Sequence, residues 1–152
     1  MNAALRYLNK LQQNMDQPGF TFSIFIIDGD NLGQYNKIGY QQGDYMIGKL
    51  GEILKQEVRP NDYVARWRSG DEFFVVLLRV ALEEAKDIGN RLRESIKEAS
   101  QDWQFPVTVS IRIVNYPNNG KTIEELINQG ERALRKAKEQ GKDCVITIDQ
   151  VQ

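Results

Sequence analysis

The chain has no histidine and a single cysteine, Cys144, among its 152 residues. The first absence excludes Ser-His-Asp and Cys-His nucleophile schemes together with His-ligated zinc. The second excludes an intrachain disulfide framework and any multi-cysteine zinc site, and it suits a reducing cytoplasm. Long hydrophobic runs are missing as well: none exceeds about six residues, against the roughly 18 needed to span a bilayer. The opening stretch MNAALRYLNK has no apolar core of signal-peptide length. Net charge is nearly absent, with 20 Lys and Arg against 21 Asp and Glu, a balance of −1. Such a surface is not built for non-specific binding to nucleic acid or membrane, so positive charge has to act locally. What the chain does have is 41% hydrophobic residues, enough for one domain with a core of its own.

The periodicities set an element order. Leu5, Leu8 and Leu11 predict a short amphipathic helix over Ala3 to Met15, a cap on the domain or a subunit contact, and Gln17-Pro18-Gly19 ends it. Residues 1–19 are read as this helix and a linker, and residues 20–152 as one domain. Phe20 to Ile27 predicts a central strand that stops at Asp28-Gly29-Asp30-Asn31, where Asp30 or Asn31 can cap a following helix whose exposed N–H groups suit a phosphate. A second helix is expected from about Gly43 to Val58, then strands at Tyr63 to Trp67 and Phe73 to Leu78. A long helix follows over Ala81 to Ala99. Val107 to Val114 alternates apolar residues with Thr108, Ser110 and Arg112, which predicts a strand with one wet or helix-free face. Thr122 and Glu125 form a capping box for a helix through Ala137, Gly141 closes it, and Cys144 to Ile148 is the last strand. The fold class is therefore α+β: a mostly antiparallel five-stranded sheet flanked by helices, close to the ferredoxin-like arrangement.

Chemistry concentrates at two places. Asp28 ends the central strand, where ligands of α/β sheets collect. Asp71 and Glu72 sit in the tight link W-R-S-G-D-E-F between two apolar strands, with Ser69 and Gly70 giving the turn room for a close ligand. Adjacent acids in a turn are ordinarily just solvated; a second acidic strand end is what gives these meaning. If the first strand and the hairpin are neighbours, Asp28 and Asp71 meet on one edge. Two carboxylates about 4 Å apart repel by roughly 4 kcal/mol at an effective dielectric near 20, so a cation between them is expected. With the Gly29 carbonyl they form an oxygen set suited to Mg²⁺ or Mn²⁺. Lys138 and Lys142 lie four residues apart at the end of the last helix, where they can hold a triphosphate or merely complement the helix dipole. Acidic ligands with phosphate-binding lysines point to nucleotidyl transfer by in-line attack.

Three ordered motifs resemble the GGDEF domains, the diguanylate cyclases that condense two GTP into cyclic di-GMP and two pyrophosphates. They are R-S-G-D-E-F itself, D-G-D-N-L-x-x-Y-N-K-x-G-Y-x-x-G-D from Asp28 to Asp44, and A-L-R-K-A-K-E-Q-G-K-D from Ala133 to Asp143. The resemblance implies a palm-type nucleotidyl cyclase fold. It implies metal ligation by Asp28, the Gly29 carbonyl and Asp71, with Glu72 assisting the metal or deprotonating the 3′-hydroxyl. Asn36 and Asp44 would read guanine, Ser69 and Gly70 would let the nucleotide pass, Lys138 and Lys142 would take phosphates, and Asp30 and Leu32 fall among the substrate-binding positions. Arg59 and Asp62 resemble the R-x-x-D site at which product inhibits. The partners implied are GTP, cyclic di-GMP and a second copy of the domain in a transient homodimer, in the cytoplasm.

The chain departs from the family pattern in places. Ser69 replaces a glycine, Leu32-Gly33 stands where Phe-Lys is usual, and Lys142 stands where arginine is common. The hairpin carries one residue more than usual, and the guanine segment between Asn36 and Gly43 one fewer. These departures motivate an alternative, a catalytically weak domain that binds GTP or cyclic di-GMP and signals through protein contacts.

Overall fold

A computed structural model describes residues 3–67, 72–139 and 141–148. The element order is α1 (Ala3–Gln12), β1 (Phe22–Asp30), α2 (Gly33–Ile38), α3 (Tyr40–Glu57), β2 (Tyr63–Trp67), β3 (Glu72–Leu78), α4 (Leu82–Ala99), β4 (Thr108–Tyr116), α5 (Ile123–Glu139) and β5 (Cys144–Thr147). The five strands form one sheet in the order β2-β3-β1-β4-β5. Every pairing is antiparallel except β4 with β5. The α+β, mostly antiparallel expectation is met, with β1 at the centre.

The sheet separates two apolar layers. On one face Phe25, Ile27, Val75, Leu77, Ile111 and Ile113 pack against Leu50 and Leu54 of α3 and Leu92 and Ile96 of α4. On the other, Phe22, Ile24, Ile26, Phe74, Val76 and Val114 meet Leu8 of α1 and Leu126 of α5. Alternation along β1 feeds both layers, because successive side chains of a strand point to opposite faces. Each such residue, fully buried, contributes about 1.5–3 kcal/mol. The α1 helix behaves as a cap: Ala4, Leu8 and Leu11 are buried, and Tyr7 stacks on Tyr63 of β2 with ring centroids 4.0 Å apart.

Three expectations need correction. β1 runs through Asp28 and Gly29 to Asp30, because β4 continues opposite it and pairs Gly29 with Val109 and Asp30 with Thr108. Neither Asp30 nor Asn31 caps the next helix; the residue before α2 is Leu32, which makes no side-chain cap bond, while Asn31 takes a left-handed φ of 68°. The polar face of β4 is not wet. Ser110 and Arg112 are 8% and 1% exposed, because α5 covers that face and acids of β1 and β3 give them partners. The α5 cap holds in modified form: the Glu125 amide donates to Thr122 Oγ1 at 3.1 Å, and Glu125 Oε2 accepts from the Lys121 amide at 2.7 Å.

Candidate active site

The antiparallel register of β1 with β3 sets Asp28 directly opposite Glu72, and the register of β1 with β4 sets Ser110 on its other side. Directly opposed residues share a face, so the two carboxylates stand side by side on the sheet face that α5 covers. Asp71 immediately precedes Glu72; with Ser69 and Gly70 it lies outside the described residues. Arg112 comes from the next row of the same face, opposite Ile26. Its Nη2 donates to Glu72 Oε2 at 2.6 Å and stands 3.5 Å from Asp28 Oδ2, and its Nη1 donates to the Gly130 carbonyl of α5 at 3.1 Å.

Asp28 is held well above the usual carboxylate range, at about 7. Burial is the largest cause, and the charge of Glu72, a hydrogen bond shared with Glu72 and the charge of Asp30 act in the same direction. Arg112 opposes them without cancelling them. The corner is thus still short of positive charge after Arg112 is counted. That shortage and the oxygen-only chemistry of the Asp28–Glu72 pair fit a hard divalent cation. Among the described residues no group of three or more Asp, Glu, His or Cys residues forms a metal cluster.

Asp30 is placed differently from the substrate-binding expectation. Its carboxylate is 7% exposed and accepts from Thr108 Oγ1 at 2.7 Å, Ser110 Oγ at 3.0 Å and the Asp143 amide at 2.9 Å. It ties β1 to β4 and to the start of β5. Asp143 in turn accepts from Arg93 at 2.7 Å and Lys97 at 2.8 Å, both on α4. Burial alone would raise the Asp143 carboxyl, but these two donors outweigh it and hold the group below its ordinary value.

Beside the carboxylates a cleft of about 430 Å³ is lined by Gly29, Asn31, Leu32, Asn36, Lys37 and Lys142. Lys142 reaches it from beyond α5 and donates to Asn31 Oδ1 at 3.0 Å. The Leu32 side chain is buried against Gly29, where a Cβ would collide with it. Tyr35 locks α2 in place by donating from its hydroxyl to the Phe105 carbonyl at 2.6 Å and accepting from the Phe105 amide at 2.8 Å. Asn36 lies against Gly43, where any Cβ would strike its Oδ1. Asp44 faces outward and pairs with Arg66 at 3.1 Å. Lys138 belongs to α5, but its side chain lies outside the described ones. Arg59 and Asp62 form a closed fork: Nε to Oδ2 at 3.0 Å and Nη2 to Oδ1 at 2.9 Å, with Nη2 also donating to the Leu78 carbonyl at 2.8 Å. A cleft of about 460 Å³ on one side of the fork adds Arg91, and another of about 590 Å³ on the other side adds Arg79.

Sequence reasoning missed Arg112 and Lys37. An arginine in a strand whose every other residue is strongly apolar was the available signal for the first. A lysine one residue from Asn36, on the helix that opens the nucleotide motif, was the signal for the second.

Topology and register together define a ferredoxin-like α+β fold that carries an acidic pair, Asp28 and Glu72, at the ends of its central strands. Comparison with known proteins narrows this: residues 2–144 match the family model described as "Diguanylate cyclase, GGDEF domain", and the chain belongs to that family. It is 34% identical over 139 residues to YhcK of Bacillus subtilis, an uncharacterized protein, covering 88% of this chain and 38% of that one. It is 31% identical over 126 residues to the diguanylate cyclase DgcM of Escherichia coli, covering 82% and 30%. The chain thus spans about a third of these relatives' length. In fold it matches the GGDEF domain of DgcB from Caulobacter crescentus in complex with c-di-GMP, with a TM-score of 0.83 at 19% identity over 97% of this chain and 89% of that one. It also matches the GGDEF domain of PA1120 from Pseudomonas aeruginosa, with a TM-score of 0.85 at 23% identity over 97% and 95%.

Proposed function

We propose that this domain is a diguanylate cyclase: it condenses two GTP molecules into cyclic di-GMP with release of two pyrophosphates, each domain of a transient pair holding one GTP. The observation that carries the reading is the Asp28–Glu72 pair in register on one sheet face, beside the Lys142 cleft. Asp28, the Gly29 carbonyl and Asp71 are the residues that would hold Mg²⁺ or Mn²⁺. When bound, that cation would neutralise the charge developing on the transferred phosphoryl group. Glu72, opposite Asp28, would assist at that cation or take the 3′-hydroxyl proton. Asn36 and Asp44 offer an amide and a carboxylate to the guanine edge, with Arg66 releasing Asp44 as the base arrives. Lys142, joined by Lys37, supplies ammonium groups to the phosphates, and Lys138 belongs to the same set by its place in the motif.

The Arg59–Asp62 fork is proposed as the product site, with Arg91 or Arg79 supplying a second guanidinium from the adjoining clefts. A cytoplasmic location, where GTP is available, follows from this reading; no helix among the described residues is long and apolar enough to cross a membrane.

Incubation with GTP and Mg²⁺, followed by chromatography, should yield cyclic di-GMP and pyrophosphate. Asp71→Ala should lower the rate at least about 100-fold, as expected when roughly 3 kcal/mol of transition-state charge stabilisation is lost. A second reading, a domain that binds nucleotide without turning it over, is favoured by Arg112, which already engages the carboxylates. Tight GTP binding by calorimetry with no pyrophosphate release would select it.

A further inference from the structure

Arg112 is a charged side chain only 1% exposed in the interior of a central strand. Its row neighbours in the sheet are Ile26 and Ile146, which offer a cation nothing. The side chain therefore runs along the sheet to the next row, where Glu72 and Asp28 stand at 2.6 and 3.5 Å. Its position is built from the α5 side as well. At Gly130 a Cβ would come within 2.7 Å of Ile26 Cδ1, so this glycine lets α5 approach the sheet closely, and its carbonyl accepts from Arg112 Nη1. Nε is buried with no hydrogen-bond partner. A guanidinium that leaves one of its donors unmatched is held there by charge rather than by a complete set of hydrogen bonds.

We propose that Arg112 is the resident counter-cation of the Asp28–Glu72 pair and competes with divalent metal for those carboxylates. This rests on the cyclase reading only for the identity of the pair as metal ligands. Guanidinium and metal need the same oxygens, and two positive groups at one pair of carboxylates repel each other. A divalent ion can take its full share of Glu72 only as Nη2 withdraws. Without metal, Arg112 keeps the two acids together on one face, so the site is assembled before substrate arrives. With metal, the guanidinium is displaced toward the Gly130 carbonyl and the unmatched side of its Nε. Arg112 is thus a positioning residue that sets how much metal the domain needs.

The test is metal binding without nucleotide. Free Mn²⁺ is followed by electron paramagnetic resonance in wild type and Arg112→Met, and thermal unfolding is recorded with and without Mn²⁺. The expected result is Mn²⁺ binding roughly ten-fold tighter in the variant, the size of effect that losing one competing charge produces, and a larger metal-induced rise in Tm than in wild type. A variant that folds only in the presence of Mn²⁺ supports the proposal equally. A folded variant with wild-type affinity overturns it, as does a failure of both proteins to bind Mn²⁺.

If Arg112→Met folds under neither condition, the wild-type protein decides the matter. The guanidinium ¹⁵N resonances of Arg112 should shift saturably with Mg²⁺, in step with the carboxylate ¹³C signals of Asp28 and Glu72. Carboxylate shifts with an unmoved Arg112 would overturn the proposal. Turnover is not part of any readout: competition in a protein that makes no cyclic di-GMP removes the cyclase reading alone, and cyclic di-GMP synthesis with an inert Arg112 removes this inference alone.

Discussion

Asp28 sits at the point where burial and function pull against each other. Its carboxyl, raised to about 7 chiefly by burial and then by Glu72 and Asp30, binds a proton more readily in the folded chain than in the unfolded one. Between roughly pH 4, where an unfolded aspartate titrates, and pH 7 the native state therefore holds the extra proton, and stability from this group falls as pH rises. Metal-free wild type should lose stability relative to Asp28→Asn across that window, and urea midpoints measured at half-unit steps check it. A difference that is flat or rising with pH would contradict the assignment. A second prediction at this scale concerns Gly43. In the helix interior an alanine is favoured by about 1 kcal/mol, yet its Cβ would push Asn36 Oδ1 aside. Gly43→Ala should therefore keep or gain stability while GTP binding, read by calorimetry, weakens about ten-fold, the equivalent of one lost base contact of roughly 1.4 kcal/mol. Residue type alone made Asp28 and Glu72 legible as acids of one site, and they stand opposite each other in the β1–β3 register; Asp30 is engaged by Thr108, Ser110 and the Asp143 amide instead, and Asp71 lies outside the described residues. Arg112 was not legible, because alternation in a strand says which side chains share a face and not whether water or a helix covers it.

At the scale of elements, polar bonds tie β1, β4 and β5 together at the Asp30 end of the sheet. Asp30 gathers Thr108, Ser110 and the Asp143 amide, while Arg93 and Lys97 draw Asp143 toward α4. Asp30→Ala would strand those donors in a buried place. A loss of about 3 kcal/mol is expected, at the upper end for an unsatisfied buried group, measured by urea unfolding. Nucleotide affinity of the folded fraction should stay near wild type, since both oxygens serve the fold. A variant that unfolds like wild type but fails to bind GTP would return Asp30 to the substrate contacts. The order of elements could be read from the sequence because periodicity and breakers report local structure well: Gln17-Pro18-Gly19, Arg59-Pro60 and Asn118-Asn119-Gly120 all fall between elements. Where β1 ends could not be read so easily. Asp-Gly-Asp has poor strand propensity, and only the ladder to β4, a partner some 80 residues away in the chain, keeps it extended.

For the whole molecule, the arrangement bears on how two domains would meet. One domain offers one carboxylate pair and one Lys142 cleft, while cyclic di-GMP needs two GTP molecules presented to each other. The buried residues of α1, Ala4, Leu8 and Leu11, are spent on the domain's own core and are not available as a seam between copies. A net charge of −1 per chain neither steers two copies together nor holds them apart at physiological salt. On the cyclase reading proposed above, this domain pairs through its substrate-bearing faces, and only weakly without nucleotide. The initial rate of cyclic di-GMP formation should therefore rise with the square of protein concentration, so that a ten-fold dilution lowers it about 100-fold where the monomer dominates by mass action. Sedimentation velocity on the nucleotide-free protein should show mainly monomer over the same range. A rate linear in concentration, with a dimer boundary persisting on dilution, would mean that some surface other than the active face already holds the two copies together.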